Sequence, residues 1–163
     1  MKMKNAFAIM AILLAHLFCS MLRSNEPIIP IINQAILERT YKYHPLAGNL
    51  KIRGYWSPNQ KEINNALISV EKYLGKSLNA KEEKILNRLE LYKVQIEGII
   101  VNDRKVIYLN FFKPIYLEIF KGEFHTRWKE QHVFALGGGI DYWHCYFDIL
   151  DNRVFGIFIN GDL

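Results

Sequence analysis

YKVQIEGIIVNDRKVIYLNFF, residues 92–112, reads as two strands around a turn. Apolar and polar residues alternate on either side of Asn102, Asp103 and Arg104, the period of a strand with two unlike faces. Centring the hairpin between Asp103 and Arg104 pairs Val101 with Val106 and Ile96 with Phe111. That register gathers Val94, Ile96, Gly98, Ile100, Ile107, Leu109 and Phe111 on one face and Gln95, Glu97, Tyr108 and Asn110 on the other. The first face is core, and the second is expected to be at least partly wet.

Upstream the period is helical. Ser57, Pro58 and Gln60 predict a helix start, with Ser57 as cap, Pro58 in the first turn and Gln60 three residues after the cap. Ile63, Ala66, Leu67, Val70 and Leu74 then recur at helical spacing, and Gly75 supplies a stop. Asn79 with Glu82 repeats the capping pattern for a shorter helix carrying Ile85, Leu86 and Leu89. Residues 25–55 contain Pro27, Pro30 and the mixed run NQAILERTYKYHP, which predicts an irregular approach with one short helix near Ile31 to Arg39.

Downstream, residues 113–129 are mixed in composition, with Pro114 and Gly122 as breakers, and read as a long connection. QHVFAL and IDYWHCYFDIL flank Gly137, Gly138 and Gly139, which predicts a tight glycine-rich hairpin loop. A three-residue loop there pairs His132 with His144, Val133 with Trp143 and Phe134 with Tyr142. A last hairpin turns at Asp151 and Asn152 into RVFGIFIN. The predicted class is α+β: amphipathic helices followed by an antiparallel meander sheet curled over the main helix.

The pieces GYWSP at 54–58, GGGIDYW at 137–143 and ING at 159–161 resemble those of a family of small exported bacterial proteins of unassigned function. The order of elements is similar to the cystatin-like folds. The resemblance covers about residues 52–161 and brings no catalytic residues with it. The paired cysteines and inhibitory loop of a true cystatin are missing, so protease inhibition does not follow.

The chain opens MKMKNAFAIMAILLAHLFCSMLRS, with Lys2 and Lys4 before an apolar run from Ala6 to Leu22 and no acid before Glu26. Residues 1–24 therefore read as a signal peptide or an N-terminal membrane anchor, and residues 25–163 as a single α+β domain. Ser20 and Ser24 offer a small residue for cleavage, but Phe18 and Leu22 stand two residues before them, so cleavage and retention both stay open. Cys19 adds lipid attachment as a third outcome, although Leu17 and Phe18 precede it. The expected location is periplasmic or extracellular.

Removing residues 1–24 takes away Lys2, Lys4 and Arg23 and no acid, so the formal charge falls from +5 to +2. The remaining lysines and arginines are interspersed with glutamates, which argues against nucleic acid as a partner. Cys145 is then the only cysteine, so the domain has no intrachain disulfide and stands on its core.

The candidate ligand-binding residues are His132, His144, Tyr142, Tyr146 and Asp141. Two histidines facing each other across strands could hold a divalent metal, but one or two more ligands would be needed. Asp148 is too far along the strand to supply one, so neither a metal site nor a cofactor is assigned. Cys145 and His144 point to opposite faces of one strand, and Cys145 falls in register with Trp143, Phe147 and Ile149, an inert core position. Tyr142, His144 and Tyr146 are expected beside Phe155, Ile157 and Ile159, an apolar second face that the chain or a partner must cover. Asp141, Asn160 and Asp162 are expected to converge on one rim beside the glycine loop.

No catalytic group is assigned. The expected function is an exported, non-enzymatic binding domain for an unknown protein or small ligand, with a homodimer as one form. The alternative is an envelope hydrolase or isomerase with His144, His132 and Asp141 lining a pocket between helix and sheet.

Overall fold

The computed structural model describes residues 52–114, 128, 132–133, 135 and 137–161. The leader, the short helix near Ile31, most of the 113–129 connection, Phe134 and Asp162 lie outside the described residues. The elements are β1 (Ile52–Trp56), α1 (Gln60–Leu74), α2 (Ala80–Leu86), a single 3-10 turn (Leu89–Leu91), β2 (Lys93–Val101) and β3 (Arg104–Phe112). A second 3-10 turn (Gly139–Asp141) then leads into β4 (Tyr142–Asp148) and β5 (Arg153–Ile159). The sheet is an antiparallel meander in the order β1-β2-β3-β4-β5, so the class is α+β as expected.

One strand precedes the helices. Residues 52–55 fall in the stretch expected to be irregular, but β1 pairs with β2 and is bulged between Ile52 and Gly54. The pairing depends on Gly98: a Cβ there would stand 2.1 Å from the Trp56 carbonyl oxygen. Only glycine lets the two backbones approach this closely.

Helix α1 starts two residues later than the Ser57 reading. Asn59 is the cap: its side chain accepts from the Glu62 backbone N–H at 3.0 Å, and Glu62 Oε2 accepts from the Asn59 N–H at 2.7 Å. This reciprocal pair satisfies two donors that a serine at position 57 could not reach. The predicted stripe Ile63, Ala66, Leu67, Val70 and Leu74 is buried, and Gly75 caps the other end. Asn79 caps α2 as expected, accepting from the Lys81 and Glu82 N–H groups.

The β2–β3 hairpin turns on Asn102 and Asp103, not between Asp103 and Arg104, so Val101 faces Arg104 and Ile96 faces Leu109. Both turn residues have positive φ, 48° and 65°, the two-residue loop whose twist matches that of the strands. The partners slip by two residues, an even number, so the predicted division into faces survives. Ile96, Ile107, Leu109 and Phe111 join Trp143, Cys145, Phe147, Val154 and the α1 stripe in one core.

The glycine loop is not a hairpin. Strand β4 pairs directly with β3, His144 with Asn110 and Tyr142 with Phe112. His132, Val133 and Ala135 have no regular structure. Gly138 and Gly139 do take positive φ, 92° and 54°, and a Cβ on Gly138 would meet the Tyr142 ring at 2.7 Å.

Strand β5 carries one extra residue. Tyr146 faces Phe155 but His144 faces Phe158, and Gly156 between them has φ 58°, which marks a bulge. The bulge moves Ile157 and Ile159 to the helix face and leaves Phe155 and Phe158 on the second face, where regular alternation would have put Phe155, Ile157 and Ile159.

Candidate functional site

The second face of the sheet is built from two rows running across the strands. One contains Glu97, Tyr108, Tyr146 and Phe155, and the next contains Gln95, Asn110, His144 and Phe158. Each row is polar or mixed on β2 and β3 and aromatic on β4 and β5. The expected wet half is buried, with Gln95 and Glu97 each 2% exposed and Tyr108 and Asn110 each 7%.

Trp128, His132 and Val133 lie over it. Gln95 Oε1 accepts from the Val133 N–H at 2.8 Å and from Asn110 Nδ2 at 3.1 Å, while Gln95 Nε2 donates to the Trp128 carbonyl at 2.5 Å. Asn110 Nδ2 also donates to the Val133 carbonyl at 2.8 Å. Two adjacent side-chain amides thus serve an irregular backbone as a strand edge would, which is why polar residues occupy a buried face. At the far end, Asn160 Nδ2 donates to the Ala135 and Gly137 carbonyls at 2.7 and 3.2 Å.

His132 enters this face from above. Its Nδ1 lies 3.2 Å from Glu97 Oε1, and the two side chains are 3% and 1% exposed. Its ring stacks on Tyr108 at 5.8 Å between centroids. Burial pushes the Glu97 carboxyl above its usual range, and the His132 contact opposes this in part. Burial also holds Tyr108 well above the usual phenol range, with smaller contributions from Tyr146, Glu97 and Cys145.

Three of the five predicted ligand-binding residues meet at Tyr108. Besides His132, the rings of His144 and Tyr146 lie 5.6 and 5.3 Å from it. His132 and His144 do not face each other across adjacent strands as expected, because His132 is in no strand and β3 occupies the place next to β4. Among the described residues, no three His, Cys, Asp or Glu side chains group to hold a metal.

Tyr142 lies two residues before His144 on β4, half-buried beside the glycine loop. Asp141 is elsewhere, ion-paired with Lys113, whose ammonium also sits 5.6 Å from the Tyr92 ring centroid. The Tyr92 hydroxyl donates to the Ile140 carbonyl at 2.8 Å and the Lys113 N–H to the Asp141 carbonyl at 3.0 Å, so this corner fastens the start of β2 and the end of β3 to the start of β4. Asn160 is near it through its backbone bond to Tyr142, but its side chain holds residues 135 and 137.

The expected pocket between helix and sheet does not gather His144, His132 and Asp141. His132 packs on Tyr108, in the cluster on the opposite face from α1, and His144 shares that face, whereas the helix-side core holds Trp143 and Cys145. Cys145 is buried as expected, and burial raises its thiol well above the usual range. Asp148 accepts from the Leu150 and Asp151 N–H groups and pairs with Arg104 at 3.0 Å, a turn-forming role.

Sequence reading missed Glu97, Gln95 and Asn110 as parts of the site. No local signal marked them, because their burial depends on the β3–β4 pairing and on the irregular chain that lies over them.

No helix among the described residues is long and apolar enough to cross a membrane. The chain matches no protein-family model, no curated protein and no solved structure. The fold and site define it by architecture: an α+β domain with one helix-covered face and one polar-aromatic face.

Proposed function

We propose that the protein is an exported, non-enzymatic binding domain, cystatin-like in arrangement, acting at the cell envelope or outside the cell. It takes a protein or small ligand on the β4–β5 half of its second face. The export reading rests on the basic and apolar opening of the chain, with cleavage, lipidation at Cys19 or retention as an anchor as its three outcomes. The cystatin-like reading is supported by one long helix lying against a five-stranded antiparallel meander.

The observation that carries the binding reading is the pair of stacks His144 on Phe158, 5.1 Å, and Tyr146 on Phe155, 5.4 Å. The bulge at Gly156 sets both phenylalanines on this face, where they remain half-exposed. Partly exposed phenylalanine rings held in place by stacking give contact area at small entropic cost.

The test is photo-crosslinking in the producing cell, with a benzophenone amino acid at Phe158 and, as control, at Ile68, which is 56% exposed on α1. A discrete adduct from position 158 and none from 68 is expected. Equal or absent adducts at both positions overturn the reading, and an adduct of twice the chain mass identifies the partner as a second copy. Intact mass of the same sample separates cleaved, lipidated and anchored forms.

A further inference from the structure

Glu97 and His132 form an acid–base contact in which both side chains are almost wholly buried. One comes from the sheet and the other from irregular chain lying over it. We propose that they form a one-proton latch, which holds the stretch carrying His132 and Val133 on the sheet while the pair retains its proton and releases it when rising pH removes that proton. This stands independently of the binding reading.

The argument is one of charge. With one proton between them the two groups are net neutral, whether as imidazole and carboxylic acid or as imidazolium and carboxylate. Losing that proton leaves a lone carboxylate in a site with almost no water. Such a charge costs several kcal/mol unless it is solvated. Glu97 Oε2 has no hydrogen-bond partner among the described residues, so nothing there is arranged to receive the full charge.

Among the described residues around the pair there is no compensating cation. Across the sheet Glu97 faces Tyr108 of β3 and then Tyr146 of β4, with His144 of β4 on the Tyr108 ring. Tyr55 of β1 lies in the same apolar cluster, and β5 contributes Phe155 and Phe158. Tyr108 is held neutral by its burial, so it adds no charge beside the pair.

The backbone around the pair is poised to separate. His132 is followed by Val133, whose N–H and carbonyl are held only by side-chain amides of Gln95 and Asn110 among the described residues, and not by a strand ladder. Lifting this stretch would open the Tyr108 end of the second face to water without breaking β2–β3 pairing.

The sign follows from linkage. A carboxyl pushed up in the latched state adds stability that is present while the pair holds its one proton and is lost as pH rises through the latched value.

The full chain, labelled with 15N and 13C, provides the test. Val133 amide protection and the Glu97 side-chain carboxyl carbon are followed by NMR from about pH 6 to about pH 10, with the Ile107 amide as core reference. Val133 protection is expected to fall at least about tenfold as the carboxyl ionises, the effect of one unit of difference between latched and open states, while Ile107 does not change. In Glu97→Gln the Val133 protection becomes flat with pH. Flat protection in the natural chain overturns the latch, as does carboxyl ionisation without loss of protection. A fall of equal size in Glu97→Gln overturns it too. If that variant does not fold, the natural-chain titration decides alone.

Discussion

The indole of Trp143 lies flat on the ring of Phe111, with centroids 3.9 Å apart and planes 1° from parallel. Both are among the largest buried side chains of the helix-side core, 1% and 2% exposed, and they face each other directly across β3 and β4. Tyr92 closes the stack edge-on at 6.0 Å from Trp143. The contact ties the central strand pair to the ground under α1.

Truncating Trp143 should therefore be among the costliest single changes. Trp143→Ala is expected to lose about 3–5 kcal/mol in equilibrium denaturant unfolding, from lost burial and the cavity left against Phe111. Trp143→Phe keeps the ring contact and should lose less than half of that. Equal losses would show that a ring retained on Phe111 contributes nothing and that the site requires the whole indole.

Gly98 and Gly54 offer a matched pair in the β1–β2 ladder. A Cβ on Gly98 would stand 2.1 Å from the Trp56 backbone oxygen, whereas one on Gly54 would stand 3.5 Å from Ile100 Cδ1, ordinary contact. Gly98→Ala is expected to cost about 2 kcal/mol or more and to detach β1, and Gly54→Ala less than about 1 kcal/mol. Exchange of the amides of β1, read beside those of β3, distinguishes local detachment from global loss.

The helix cap separates two readings of the sequence by experiment. Asn59→Ala removes the acceptor for the Glu62 N–H and should cost about 1 kcal/mol, while Ser57→Ala, outside the observed box, should cost only a few tenths. The reverse order would restore the start at Ser57.

How much could be read beforehand depended on periodicity. The α1 stripe and the faces of β2 and β3 follow from spacing alone: where the helix starts does not alter its period, and the hairpin slip is by two residues, an even number. Strand β1 was not legible, since IRGYW is too short to establish a period and its ladder depends on a glycine elsewhere in the chain. The site was legible only in part. His132, His144 and Tyr146 were singled out, but their meeting point at Tyr108 depends on β3 pairing with β4, a long-range choice that local pattern does not encode. Gln95 and Asn110 looked like solvent-facing strand residues because their partners are backbone atoms of irregular chain.

Cys145 provides a probe of the core that does not require a substitution. Its thiol is 0% exposed, and burial keeps it protonated well above the usual range, so at pH 8 thiolate is scarce as well as inaccessible. Alkylation followed peptide by peptide in the mass spectrometer should leave Cys145 unmodified in the folded protein and label it at a rate that tracks global unfolding as denaturant is added. Labelling well below the unfolding transition would mean that β4 opens locally.

The bulge at Gly156 is the feature on which the composition of the second face turns. Two residues, Gly156 and Ile157, occupy the place opposite Cys145, so the strand re-enters register with Phe158 against His144. Deleting Gly156 should therefore leave Ile157, Phe158 and Ile159 on their present faces, because it removes the extra residue and not the pairing beyond it. Substituting it has a different effect: at φ 58° a side chain is disfavoured, and Gly156→Val is expected to cost about 1–2 kcal/mol, β-branching adding to the steric clash. Contacts between the His144 and Phe158 rings, seen as nuclear Overhauser effects, should persist in the deletion. Their loss, with Ile157 or Ile159 appearing beside His144 instead, would show that the glycine sets the register itself and not merely the local twist.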